Sequence, residues 1–135
     1  MSPLATAASW PVATVVSMLE GGTRRRELPA PPHVVARSLT EPDRDPARPW
    51  LLLLPDEQRP DVLEFRPPRL VVWSSLWPSR PDAVVRFDLA GRGGGTDLRW
   101  TLLLAEPLPD AAKLGHLRKR INVLIHANLR YSYGQ

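Results

Sequence analysis

Hydrophobic and polar residues alternate along the middle of the chain, from about residue 61 to residue 104. A period of two is typical of a β-strand that buries one face and exposes the other. Short turns rich in proline or glycine interrupt the alternation, and short turns join antiparallel neighbours. The pattern therefore predicts an antiparallel meander. Its four predicted strands are Asp61–Arg66, Leu70–Trp77, Ala83–Leu89 and Leu98–Leu104.

The last two predicted strands have a favoured register. Pairing Phe87 with Trp100 keeps the apolar faces of the two strands together. The same pairing brings Asp88 beside Arg99 on the opposite face. Apolar side chains then meet inside the protein and opposite charges meet in water.

The register of the first two predicted strands is less constrained. Pairing Phe65 with Leu70 turns Trp73 outward, where it could stack on Arg86. A slip of one residue turns Trp73 and Trp77 inward instead. The sequence leaves both arrangements open.

A period of 3.6 residues appears in the last third of the chain and predicts a long helix. Pro109 and Asp110 cap its start, and it runs to about Tyr131. Asn128 is the polar member of its apolar stripe, and a buried amide needs a hydrogen-bond partner from the protein or from a ligand. The stripe consists of Leu114, Leu117, Ile121, Leu124, Ile125 and Asn128.

One strand and one short helix are predicted before the meander. The strand covers Thr23–Leu28. Pro31 and Pro32 open the helix, because proline suits the first helical turn, and the helix ends near Leu39. The apolar run Trp50–Leu54 is ambiguous between a strand and a helical turn.

The beginning of the chain carries no charge from Leu4 to Leu19. This stretch is too short to span a bilayer and lacks the basic residues of a secretory signal. We therefore predict an N-terminal arm over residues 1–20 and one globular domain over residues 21–135. The arm either packs on the domain or is dispensable for folding, and the sequence allows both.

Composition narrows the class of function. With 43% hydrophobic and 24% charged residues, the chain is predicted to be globular. Cysteine is absent and the three histidines are scattered, so we expect no disulfide and no metal site. No cofactor is predicted, and the lack of a secretory signal in the N-terminal stretch predicts a cytoplasmic location. The net charge of +4 comes mostly from arginines spread singly along the chain. A nucleic-acid site concentrates its basic residues, so neither a nucleic-acid partner nor membrane insertion is predicted.

Candidate catalytic groups are few. Acidic pairs such as Asp56 and Glu57 lie in polar, proline-rich segments, and we interpret them as solvated charge rather than as general acid–base pairs. None of the histidines has an identifiable orienting partner. Ser74 and Ser75 lack the glycine-flanked turn of a serine nucleophile. No catalytic residue is assigned.

Two stretches of sequence carry a family resemblance. ELPAPPHVVARSL, from Glu27 to Leu39, and GGTDLRWT, from Gly94 to Thr101, resemble segments of the START-like superfamily. This superfamily is also called SRPBCC and includes polyketide cyclases and pollen-allergen-type binding proteins. The resemblance covers about residues 21 to 131. It implies an α+β helix-grip fold, in which a curved antiparallel sheet wraps around a long C-terminal helix and a cavity lies between them.

The resemblance and the apolar inner face together predict a binding domain for an apolar or aromatic small molecule. The predicted pocket wall consists of Phe87, Trp100, Leu124 and Asn128. Two alternatives stay open. One is an enzyme of the polyketide cyclase or dehydrase type, and the other is a protein-interaction module that docks partners through an outward-facing Trp73 and Trp77.

Overall fold

A five-stranded antiparallel sheet and a long C-terminal helix organise the fold, as seen in a computed structural model that describes residues 18–134. The strand order is β1-β5-β4-β3-β2. The strands are β1 (Met18–Leu28), β2 (Val62–Arg66), β3 (Leu70–Trp73), β4 (Val84–Arg92) and β5 (Gly95–Ala105). A short helix, α1 (Pro32–Thr40), follows β1. The predicted α+β class is confirmed.

The C-terminal helix begins where the sequence predicts. The Asp110 carboxylate accepts a hydrogen bond from the Lys113 amide at 2.8 Å, which satisfies one of the free N–H groups of the first turn. The helix starts as α2 (Ala111–Asn122), continues as a π-helical stretch over Val123–Leu129, and ends as α3 (Arg130–Ser132).

The long helix packs its apolar stripe on the concave face of the sheet. Leu117, Ile121 and Leu124 are buried in one hydrophobic core with inward-facing residues of β4 and β5. Burying a leucine or isoleucine side chain contributes about 1.5–3 kcal/mol, so this seam supplies a large share of the stability of the fold. Within residues 18–134, no helix is both long enough and apolar enough to cross a membrane.

The predicted register of β4 and β5 is confirmed. Phe87 lies opposite Trp100, and Asp88 lies opposite Arg99. Gly93 and Gly94, with φ of 55° and 86°, form the tight turn that a two-residue hairpin requires. The expected contact between Asp88 and Arg99 does not form, because Asp88 accepts hydrogen bonds at 3.0 Å from Arg86, two residues earlier on its own strand.

The outward orientation of Trp73 in the first alternative is wrong. Trp73 pairs with Val85, faces the helix side and is 1% exposed. All four residues of β3 are apolar, so alternation could not select the inner face. The register with β2 also differs from the predicted one. Phe65 lies opposite Val71 rather than opposite Leu70, and the register shifts by one residue between Val62 and Glu64.

Candidate functional site

The concave face of the sheet carries a row of aromatic rings beneath the helices. Trp50, from the loop after α1, stacks on Trp73 with ring centroids 6.1 Å apart and an interplanar angle of 20°. The Phe87 ring meets Trp73 edge-on, at 4.7 Å. Trp100 follows as the cross-strand partner of Phe87. Such aromatic pairs add about 0.5–1.5 kcal/mol to the free energy of burial.

Backbone and side chains fix the central ring of this row. The Trp73 indole N–H donates to the carbonyl oxygen of Leu39, at the end of α1, at 2.9 Å. This bond ties β3 to the short helix and satisfies the buried indole. A flat, immobile ring with one face against Trp50 is a suitable stacking platform for an aromatic molecule.

Three of the four predicted wall residues come together in the core. Phe87 and Trp100 lie side by side on neighbouring strands, and Leu124 belongs to the same buried cluster. Other atoms enclose these three side chains, since none of them is more than 1% exposed. The clefts described below are lined by other residues.

Asn128 lies elsewhere. It is half-buried and lines an outer groove with Arg48, Pro49 and Tyr131. The π-helical stretch explains the difference, because its wider turns advance the helix face by about one residue relative to an α-helix. Leu129 therefore takes the buried position that the α-helical period gave to Asn128.

A cleft of about 170 Å³ opens beside Trp50. Val34 and Ser38 of α1 form one side, and Tyr133, after the C-terminal helix, forms another. The Tyr133 hydroxyl donates to Ser38 at 2.8 Å. Burial raises the pKa of Tyr133 to about 12, with the bond to Ser38 acting in the opposite direction, so this phenol stays protonated near neutral pH.

The loop segment over residues 49–58, which we call the strap, is held against the C-terminal helix by an ion pair. Arg120 donates to the Glu57 carboxylate through Nε at 2.7 Å and through Nη2 at 2.8 Å. The Glu57 side chain is fully buried, and the Leu54 amide donates to it at 2.9 Å. Burial acts to raise the pKa of Glu57, but the hydrogen bonds from Arg120 and Leu54 outweigh it and lower the pKa.

Sequence reasoning missed both anchors of the strap. Glu57 was interpreted as solvated charge, and that interpretation is wrong because its side chain is enclosed by Arg120 and the strap backbone. For Trp50, the sequence predicts only an apolar run that is ambiguous between a strand and a helical turn. The available signal was the run itself: a tryptophan and four leucines in a proline-bounded loop indicate that the loop packs on a core.

One buried polar atom in the row has no partner. The indole Nε1 of Trp100 is inaccessible and makes no hydrogen bond, although its ring lies in the middle of the concave face. An unsatisfied buried donor costs about 1–3 kcal/mol. Among residues 18–134, no group of His, Asp and Glu side chains is arranged to hold a metal ion.

This architecture is a helix-grip fold, in which an antiparallel sheet packs around a long C-terminal helix, and solved structures share it. The crystal structure of CalU16 from Micromonospora echinospora is 22% identical, with 77% of this chain and 68% of that chain covered and a TM-score of 0.58. The Aha1 dimer from Colwellia psychrerythraea is 16% identical over 80% of this chain and 91% of that chain, with a TM-score of 0.61. Ara h 8.0201 is 12% identical over 87% and 99%, with a TM-score of 0.53.

These similarities define the fold. No family model matches the chain, and the comparison with curated proteins finds no match.

Proposed function

We propose that the chain is a cytoplasmic START-like domain that binds an apolar or aromatic small molecule between the sheet and the helices. The ligand enters beside α1, displaces the Trp50 ring and stacks on Trp73. Phe87, Trp100 and Leu124 form the deeper wall. Asn128 contacts only the part of a ligand that extends into the outer groove.

The unpaired indole of Trp100 is the observation that carries this proposal. A donor in the middle of an apolar face, sealed from solvent, has a natural partner in a ligand oxygen. The preferred ligand is therefore a flat apolar molecule with one hydrogen-bond acceptor, such as an aryl ketone. A purely hydrocarbon ligand would leave the Trp100 donor unsatisfied.

The strap also supports the proposal that a ligand binds on this face. Trp50 is supplied by a loop rather than by a helix or strand, so it can leave the core without breaking the sheet. The cleft beside it measures about 170 Å³, which is close to the volume of about 150 Å³ of a closed apolar cavity that accepts benzene, and charged side chains such as Arg37, Glu41 and Arg48 line its open side. Cleft and displaced indole together give room for about two rings.

We do not favour the alternative of a protein-interaction module. It required outward-facing tryptophans, and Trp73 and Trp77 are both buried in the core. The buried carboxylate of Glu57, which an acid–base enzyme could have used, is engaged by Arg120. We therefore favour binding over catalysis.

The test compares two matched probes, 2-acetylnaphthalene and 2-ethylnaphthalene, by tryptophan fluorescence and calorimetry. We expect the ketone to bind more tightly, and its advantage to disappear in Trp100→Phe, which keeps a ring but removes the donor. Trp50→Ala should tighten both probes because no ring has to be displaced, whereas Leu52→Ala, an exposed strap residue, should change neither. Absence of binding by the wild type and by Trp50→Ala would refute the proposal.

A further inference from the structure

The inward face of the edge strand β1 carries two arginines. Arg24 and Arg26 lie opposite Trp100 and Leu98 in the sheet register. The side chains of these two partners lie in the main core, so both arginines point to the same side of the sheet as the C-terminal helix. Because β1 is at the edge of the sheet, Arg24 is exposed and Arg26 is half-buried rather than sealed in the core.

Two hydrogen bonds hold the C-terminal helix against β1. The Nη1 of Arg118 donates to the Gly21 carbonyl oxygen at 3.1 Å, and the Nε of Arg26 donates to the side-chain oxygen of Asn122 at 2.8 Å. Arg120, by contrast, contacts the strap. β1 and the strap therefore lie on different sides of the helix, and the groove between β1 and the helix is separate from the cleft of the proposed function.

The end of the helix adds two basic side chains to this groove. His126 follows Asn122 by about one turn, and Arg130 follows His126 by about one more. Arg130 lines a cleft with Leu28, the next inward residue of β1 after Arg26. Partial burial lowers the pKa of His126, and the nearby charges of Arg26 and Arg130 lower it further. We call this the basic groove, and its basic side chains are Arg24, Arg26, Arg118, His126 and Arg130.

Carboxylates are absent from the two walls of the basic groove. From residue 111 onwards the sequence contains neither Asp nor Glu. The two acidic residues of β1, Glu20 and Glu27, point to the convex face because their partners in β5 face that way. Glu27 reaches the rim of the cleft beside Arg130, where it pairs with Arg92 at 3.2 Å. Within residues 18–134, no ion pair therefore balances the positive charge of the groove.

One nitrogen of the groove is sealed from solvent. The Nε of Arg130 is inaccessible and has no hydrogen-bond partner among the described residues. Water can satisfy exposed arginines such as Arg24 and Arg118, but it cannot reach this atom. A guanidinium keeps its proton, so deprotonation cannot remove the need for an acceptor. Buried donors are normally paired, and in these positive surroundings the favoured acceptor is an anion.

We propose that the basic groove binds the phosphate group of a small molecule, with Arg26, His126 and Arg130 as donors to its oxygens. Planar guanidinium groups match the spacing of phosphate oxygens, and a dianion offsets the repulsion between two arginines better than a monovalent carboxylate does. The cleft beside Arg130, of about 560 Å³, gives room for the rest of the molecule. The proposal does not rest on the proposed function, because the two sites share no residue.

Histidine NMR of the full-length wild type tests the site without any substitution. The imidazole signals are followed against pH in sodium sulfate and in sodium chloride of equal ionic strength, with sulfate standing in for phosphate because it stays a dianion throughout. Bound sulfate should raise the pKa of His126 and leave those of His33 and His116 unchanged, because only His126 lies in the groove. Equal shifts of all three histidines would overturn the proposal, as would no shift beyond that in chloride.

Calorimetry with phenyl phosphate tests the donors. Arg130→Gln should weaken binding about tenfold or more, since it removes charge-assisted hydrogen bonds, and Arg130→Lys should lie between it and the wild type because it keeps the charge without the fork. The matched control, Lys119→Gln, removes an exposed charge from the same helix and should leave the affinity within about twofold. An equal loss in Lys119→Gln would overturn the proposal, as would absence of binding by the wild type.

A DNA duplex and vesicles of phosphatidylcholine with phosphatidic acid distinguish the sources of phosphate. We expect phenyl phosphate to bind and neither of these to bind in an Arg130-dependent way. Arg130-dependent binding of the duplex or of the vesicles without binding of phenyl phosphate would identify a macromolecular surface and would overturn the proposal. The histidine titration uses the wild type, so it decides the question even where a variant fails to fold.

Discussion

The ion pair between Glu57 and Arg120 should decide how firmly the strap is closed. Its geometry is bidentate, with N–O distances of 2.7 and 2.8 Å, and Arg120 also donates to the Leu52 carbonyl oxygen at 3.1 Å. The side chains of Glu57 and Arg120 are 0% and 12% exposed. Removing one partner of a buried pair costs about 3–5 kcal/mol, because the other charge stays buried without compensation.

We expect Arg120→Met to lower the free energy of unfolding by about 3 kcal/mol in urea denaturation at pH 7. The value lies at the low end of the range because the strap can lift and hydrate the freed Glu57 carboxylate. The double variant Glu57→Leu/Arg120→Met should recover most of the loss, since apolar residues replace the pair without leaving a charge. The matched control is Arg59→Met, which breaks an exposed pair of 2.8 Å with Asp43 and should change stability by less than about 1 kcal/mol.

The pH dependence follows from the direction of the shift. The folded-state pKa of Glu57 lies below its ordinary value, so the charged carboxylate stabilises the fold above that value. This contribution is lost as the pH falls through the folded-state pKa. The difference in stability between wild type and Arg120→Met should therefore shrink on acidification, because protonation of Glu57 removes both the ion pair in the wild type and the uncompensated charge in the variant. A loss in Arg120→Met no larger than in Arg59→Met would refute the reasoning, as would a gap that does not change with pH.

Three further predictions use the same denaturation assay. Hydrogen bonds from Arg80 hold the pKa of Asp82 at about 2. Asp82→Asn should therefore lower the free energy of unfolding by about 1–2 kcal/mol at pH 7 and leave it unchanged once the pH falls towards 2. A loss that stays constant with pH would contradict this prediction. Trp50→Ala should cost up to about 3–5 kcal/mol, whereas Trp50→Phe should keep most of the stacking, and equal losses would exclude a stacking role. Gly95→Ala should destabilise the fold because its Cβ would lie 2.5 Å from a backbone oxygen. Gly115→Ala, in open space on α2, should stabilise the fold by up to about 1 kcal/mol. The reverse order of the two stabilities would be inconsistent with these contacts.

Sequence reasoning succeeded where local chemistry determines structure. The Phe87–Trp100 register combines an apolar pair on one face with charged residues on the other, and only one alignment satisfies both. Asp110 begins the long helix because its carboxylate can accept from the first turn, and this depends on neighbours within three residues.

The candidate site was predicted less completely because its decisive contacts join distant residues. Trp50 meets Trp73 across 23 positions, and Glu57 meets Arg120 across 63. Asn128 was misplaced for a different reason. A π-helical stretch shifts the helix face by about one residue, and a fixed period of 3.6 cannot represent that shift.

The error at β3 has its physical cause in the composition of that strand. A strand with one buried face alternates, whereas a strand buried on both faces becomes a continuous apolar run. Leu70, Val71, Val72 and Trp73 are such a run, and all four are buried. The missing alternation is therefore itself a sign that side chains on both faces of this strand are buried. Both faces of β3 are apolar, so burial hardly distinguishes the two registers. Specific contacts, such as the hydrogen bond from Trp73 to the Leu39 carbonyl oxygen, then determine which register forms.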